Sequence, residues 1–120
     1  MIAEGSSYIR HQTPGGERLA GLTLKLGRHN GGELEAKIVY TGWSGSEIEE
    51  KERRTIEFYA HVALEGIKEF AAEREIDLSI YRLEFSKFLV HPVDTKDSDI
   101  KLAGRNAFAS AWAISHTQAL

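Results

Sequence analysis

An α+β two-layer sandwich is the fold class this sequence predicts, and three observations predict it. Apolar residues in the front third recur at every second position. Over residues 48–74 they recur at every third and fourth. One more strand-like run and one more helix-like run then follow. The order is β-β-β-α-β-α, with a mostly antiparallel four-stranded sheet carrying two helices on one face. With 120 residues, the chain makes a single domain spanning 1–120, long enough to bury a core without disulfides or metals.

The elements follow in order. Tyr8 to Gln12 is a first strand, set off by Thr13-Pro14-Gly15-Gly16. Leu22, Leu24 and Leu26 alternate with Thr23 and Lys25, which puts the leucines on one face of a second strand. Leu34, Ala36, Ile38 and Tyr40 alternate in the same way with Glu35, Lys37 and Val39. Between these two runs Gly27-Arg28-His29-Asn30-Gly31-Gly32 reads as a hairpin connection, since Asn and Gly take positive φ cheaply, and the strands are expected to be antiparallel neighbours. After Gly42-Trp43-Ser44-Gly45 the period changes. Ile56, Tyr59, Ala60, Ala63, Ile67, Phe70 and Ala71 form one stripe of a helix from Ile48 to Arg74. Glu47, Glu49 and Glu50 crowd its start, where the helix dipole favours anions. Leu78 to Val90 is a long strand, with Tyr81, Leu83 and Phe85 on one face. Asp94-Thr95 offers an N-cap, Asp97 and Asp99 load the first turn, and a second helix runs to Ser115. Its Ala103, Gly104, Ala107 and Ala111 leave a thin face for close packing.

Composition excludes several classes. The chain has no cysteine, hence no thiol nucleophile and no cysteine-based metal site. The net charge of −3 argues against a generally basic nucleic-acid coat. That charge is uneven, however: the acidic excess lies in residues 31–80, while both ends carry a small positive balance. The opening residues lack the pattern of a secretory signal and no apolar run is long enough to span a bilayer, so a cytoplasmic, membrane-free protein is expected.

Catalytic motifs are missing. There is no GxxxxGK[ST] phosphate loop, no GxGxxG, and no HExxH; Gly42-Trp43-Ser44-Gly45 has the serine but not the glycine spacing of a nucleophile elbow. His91, Asp94, Asp97 and Asp99 form the densest polar run, which reads as a helix start with its usual acids rather than a calcium loop. No enzyme activity, cofactor, metal or bound nucleotide is expected.

One resemblance spans Glu4 to Trp112. His91-Pro92-Val93-Asp94-Thr95, then Lys101-Leu102-Ala103, then Ala107-Phe108 resembles the H-x-V-D-S/T, K-[IL]-A and A-F series of domain IV of translation elongation factor G. Glu4-Gly5, Tyr8-Ile9-Arg10, Gly15-Gly16 and Gly21 are similar to that family's opening, and Ala63, Gly66 and Ile67 fall on its A-V-x-x-G-[IL] helix. Two stretches depart: Ser86-Lys87-Phe88-Leu89-Val90-His91 replaces a Y-D-G-S-Y-H turn, and Gly15-Gly16-Glu17-Arg18-Leu19-Ala20-Gly21 replaces a glycine-rich loop. The resemblance implies an α+β domain with a left-handed βαβ crossover that reaches the decoding region of the small ribosomal subunit. It implies a tip of two loops, Thr13 to Ala20 and Lys87 to Thr95, detached here from any GTPase domain. With Met1 at its head, the chain is expected to be free-standing.

Two readings follow. In the first the tip binds the small ribosomal subunit or RNA through Arg10, His11, Arg18, Lys87, His91 and Lys96, which would meet phosphates. In the second the fold is kept for protein interaction or homodimerisation, with Phe88, Leu89 and Val90 as an apolar edge.

Overall fold

The computed structural model describes residues 3–118. Four strands, β1 (Ala3–Thr13), β2 (Gly16–Arg28), β3 (Glu35–Ile38) and β4 (Tyr81–Leu89), and two helices, α1 (Arg53–Arg74) and α2 (Asp97–Gln118), follow one another as β-β-β-α-β-α. The predicted element order and α+β class are therefore observed, in a mixed sheet with spatial order β1-β2-β4-β3.

The sheet is wired differently from the expectation in one respect. β1 and β2 form the antiparallel hairpin, closed by Pro14-Gly15 with Thr13 opposite Gly16. β2 then pairs antiparallel with β4, not with β3, and β3 pairs parallel with β4. The Gly27–Gly32 segment is thus a crossover past the end of β4, tied there by the His29 N–H to the Ile80 carbonyl at 3.0 Å. Its glycines still make the turn, with Gly32 at φ 78°. The local signal gives the bend correctly and the partner wrongly, because turn chemistry does not specify which strand fills the space beside β2. The β3–α1–β4 unit has the helix that a parallel pair needs to reverse direction.

The core lies on one face of the sheet. Leu22, Leu24 and Leu26 of β2 meet Leu83 and Phe85 of β4, and the predicted α1 stripe (Ile56, Tyr59, Ala60, Ala63, Ile67, Phe70 and Ala71) is buried to the last residue. Phe108 of α2 sits edge-on to Phe70 and Tyr81. The thin face of α2 does what its composition suggests. Ala103, Ala107 and Ala111 are buried, and a Cβ at Gly104 would come within 2.5 Å of the Ala63 carbonyl oxygen. On β1, a Cβ at Gly5 would strike the backbone of Ala107.

Several boundaries move: β1 starts at Ala3 rather than Tyr8, β3 keeps only Glu35–Ile38, and α2 runs past Ser115 to Gln118. α1 begins at Arg53; of the expected acids only Glu50 lies in the short 3-10 turn Glu50–Glu52 ahead of it, Glu47 and Glu49 precede that turn, and the first turn of α1 carries no acid. Leu78–Ile80 is likewise a 3-10 turn rather than strand. No helix among the described residues is long and apolar enough to cross a membrane.

Candidate functional site at the hairpin end of the sheet

The antiparallel wiring brings the start of β2 and the end of β4 to the same end of the sheet, where Gly21 faces Leu89. The first expected tip loop, Thr13 to Ala20, is here a two-residue turn on two strands. Proline followed by glycine closes a tight turn, and the Thr13 hydroxyl donates to the Gly16 carbonyl at 2.6 Å. The second is a loop folded on itself, with the Asp94 and Thr95 amides both donating to the His91 carbonyl, at 3.0 and 2.8 Å.

These two pieces are stitched together. The Leu19 N–H donates to the Asp94 carbonyl at 3.3 Å, and the Thr95 hydroxyl donates back to the Leu19 carbonyl at 2.8 Å. The Thr95 oxygen also accepts from the His91 N–H at 2.8 Å. Thr95 is thus occupied by the loop rather than capping α2, which corrects the Asp94-Thr95 N-cap. The helix opens instead at Lys96, whose carbonyl accepts from Asp99 and Ile100.

The six expected contact residues meet different fates. Strand alternation sends Arg10 to the open face beside Tyr8 and Glu17, and sends His11 and Arg18 to the helix face. Arg10 is held by Glu17 at 2.5 Å. Arg18 is gripped by Asp99 of α2 through two bonds, Nη2 to Oδ1 at 2.6 Å and Nε to Oδ2 at 3.1 Å. The hydrogen bond and charge of Asp99 raise the Arg18 pKa further above its already high value. His91 accepts from the Val93 N–H on Nδ1 at 3.3 Å, with Asp94 Oδ2 at 3.4 Å. That leaves His11, Lys87 and Lys96 without an ion-pair partner among the described residues. The tip is consequently less basic than its sequence suggests, since Glu17, Asp94 and Asp99 answer cations one by one.

The apolar alternative is also altered. β4 lies between β2 and β3, so it is no edge. Phe88 is 4% exposed and belongs to the core, while Leu89 and Val90 are half-buried. Phe88 is therefore corrected from surface to core, while Leu89 and Val90 stay partly exposed at the end of an interior strand.

Residues that sequence reasoning passes over shape this end. β4 bulges between Ser86 and Leu89, and Lys87 takes φ 51° there. Its carbonyl accepts from the Tyr8 hydroxyl at 2.7 Å and its N–H donates to Thr41 Oγ1 at 3.0 Å. A phenol has one hydrogen, so with Tyr8 donating to Lys87, Thr23 must donate to Tyr8 and Ser6 to Thr23, at 2.7 and 2.9 Å. Burial raises the Tyr8 pKa, with a smaller opposing effect from Thr23. The loop after β3 joins the same end, because Phe88 donates to the Thr41 carbonyl and accepts from the Trp43 N–H. Trp43 is 59% exposed there. A tryptophan set in a Gly-Ser turn is the one signal for it in the sequence. No three His, Asp or Glu side chains among the described residues stand close enough to hold a metal ion.

No protein-family model matches this chain, and no curated protein does. Among solved structures it is similar to a crystallised protein from Thermus thermophilus, at 24% identity and a TM-score of 0.58. That likeness covers 92% of this chain but 16% of the other, so the chain spans a small part of that protein's length, and what the two share is the fold.

Proposed function

We propose that this chain is a non-catalytic RNA-binding module of the translation apparatus, similar in fold to domain IV of elongation factor G. In this reading its hairpin end docks on RNA of the small ribosomal subunit, in a cytoplasmic setting. The observation that carries the reading is the stitching of the hairpin to the loop after β4 through Leu19, Asp94 and Thr95. It joins the two segments that the resemblance implies as a tip, and it does so by hydrogen bonds that fix their relative position before any partner arrives. Preorganisation of that kind lowers the ordering cost of binding.

The charges that remain for phosphate are few. Lys87 and Lys96 have no ion-pair partner among the described residues, whereas Arg10 and Arg18 would have to leave carboxylates to serve. Each cation that neutralises a phosphate of single-stranded RNA adds roughly −0.7 to the slope of log affinity against log salt. Two lysines give a slope of about −1.4.

The test is co-sedimentation with purified small ribosomal subunits across a potassium chloride series. Saturable binding that weakens with salt, and that the Lys87→Glu, Lys96→Glu double variant loses, is the expected result. Absence of binding at low salt overturns the reading.

A further inference from the structure

Trp43 has no role in the docking described above. Tryptophan is on average highly buried in folded domains, yet Trp43 is 59% exposed on a loop held by backbone hydrogen bonds. The Trp43 N–H donates to the Phe88 carbonyl at 3.0 Å, Gly42 donates to Ser46 at 2.8 Å, and Gly45 donates to Gly42 at 2.9 Å. Thr41 and Glu47 form a bridge at the base of the loop. These bonds fix the backbone that carries the indole.

Trp43 lines a cavity of about 150 Å³ with Tyr8, Ile9, Arg10 and Leu89. Tyr8 and Leu89 give it apolar walls. Arg10 is held by a single bond from Nε to Glu17, an arrangement that orients the guanidinium while leaving its planar faces unoccupied by that bond. An indole and a guanidinium are both side-chain planes on which unpaired bases stack. Lys87, exposed and with no ion-pair partner among the described residues, precedes Leu89 by two positions in the chain. An apolar peptide side chain would use the walls and leave the cations idle, and a duplex keeps its bases inside the stack.

We propose that the Trp43–Arg10 cavity receives one unpaired nucleobase of single-stranded RNA. The inference rests on the RNA-binding reading above and adds to it a base-stacking site, on the open face of the sheet and distinct from the phosphate contacts. Stacking tolerates any base, because every base has a π-face.

The experiment compares two probes of equal length, a short single-stranded oligoribonucleotide and its fully abasic counterpart, against the full chain. The chain has two tryptophans, so a Trp112→Phe background isolates Trp43 fluorescence. The base-bearing strand is expected to quench that fluorescence and to bind about 10-fold tighter than the abasic strand. Trp43→Ala should erase the difference while leaving affinity for the abasic strand unchanged. The affinity comparison of wild type with Trp43→Ala needs no Trp112 substitution and stands by itself if that background fails to fold. Equal binding of the two strands, or a difference that survives Trp43→Ala, overturns the stacking site and leaves the RNA reading intact. Binding of neither strand at low salt overturns the stacking site, and the RNA reading then stands or falls on the small-subunit sedimentation.

Discussion

Arg18 and Asp99 stand 81 positions apart in the chain and share two hydrogen bonds, at 2.6 and 3.1 Å. The pair ties the first residues of β2 to the first turn of α2. It also alters the electrostatics of the hairpin end, because the arginine best placed by sequence to meet a phosphate already has an anion. The Asp99 side chain is 8% exposed and that of Arg18 41%. The two partners are therefore unequal: removing the arginine strands a buried carboxylate, while removing the carboxylate leaves a guanidinium that water can reach.

Arg18→Met is accordingly expected to lower the melting temperature more than Asp99→Asn does. The double variant Arg18→Met, Asp99→Leu should recover part of the loss, since neither charge is then left alone. Thermal denaturation of the three variants checks the order. On the RNA reading, Asp99→Asn should also strengthen RNA binding, because it frees Arg18 for phosphate. Unchanged affinity in that variant would mean that Arg18 does not face the ligand.

Helix α1 crosses α2 at Gly66, where a Cβ would strike the Lys101 carbonyl oxygen, and at Ala63, which meets Gly104. Alanine is a better helix former than glycine by about 1 kcal/mol, so propensity alone predicts that Gly66→Ala stabilises. The obstacle is backbone, which cannot swing aside as a side chain does, and overpacking costs about 1–3 kcal/mol. Gly66→Ala is therefore expected to destabilise, by up to about 2 kcal/mol net. Urea denaturation decides the sign.

Stability should decline at alkaline pH, in part through Tyr8. Burial raises its folded pKa above 10.0, so the neutral phenol is favoured in the fold. The corresponding stabilisation is complete below the unfolded value and is lost as pH rises through the folded one, at roughly pH 10 and above. Tyr8→Phe should shallow that alkaline limb and cost about 1 kcal/mol at neutral pH, as Thr23 and the Lys87 carbonyl lose a partner. Glu35 and Glu73 act at the other end. Their hydrogen bonds to Arg82 and Arg105 lower their pKa values from 4.5, so their contribution is present above that value and lost as pH falls through the folded ones. Chemical denaturation at a series of pH values, with Glu73→Gln as the comparison, measures both limbs.

What the sequence conveys follows from how local each feature is. The buried stripe from Ile56 to Ala71 is readable in full, because a helix writes its packing face into spacing of three and four. The leucines of β2 are readable for the same reason at spacing two. The parallel pairing of β3 with β4 is not, since it aligns Glu35 with Arg82 from opposite sides of α1 in the chain, and no turn residue encodes it. The site shows the same division. Motif order places Lys87, His91 and Arg18 near one another, but the Asp99 that engages Arg18 lies on another element. Phe88 reads as exposed because three apolar residues in a row resemble an edge; only the flanking strands reveal that it is interior. Trp43 reads as loop, which it is, while its value as a platform depends on Phe88 and Tyr8 from two other strands.

Lys87 allows stability and binding to be moved in opposite directions by one substitution. It holds φ 51° at the bulge of β4, a conformation that costs an L-residue other than glycine roughly 1–2 kcal/mol. Tyr8 and Thr41 pin the peptide groups on either side of it, so the strain is held by the surrounding fold rather than by the lysine side chain. Lys87→Gly removes the Cβ and keeps both backbone bonds. It also frees the unfolded chain, an entropic cost of about 0.5–1 kcal/mol that offsets part of the relief. The net expectation is a gain of up to about 1.5 kcal/mol in stability, together with weaker RNA binding and a salt slope shallower by roughly 0.7. Lys87→Val should do the reverse to stability, because a β-branched side chain tolerates positive φ least. If the strain serves only the fold, Lys87→Gly and Lys87→Val will differ in melting temperature and bind RNA no worse than wild type. If Lys87 is a phosphate contact, both will lose the same share of affinity while their stabilities diverge.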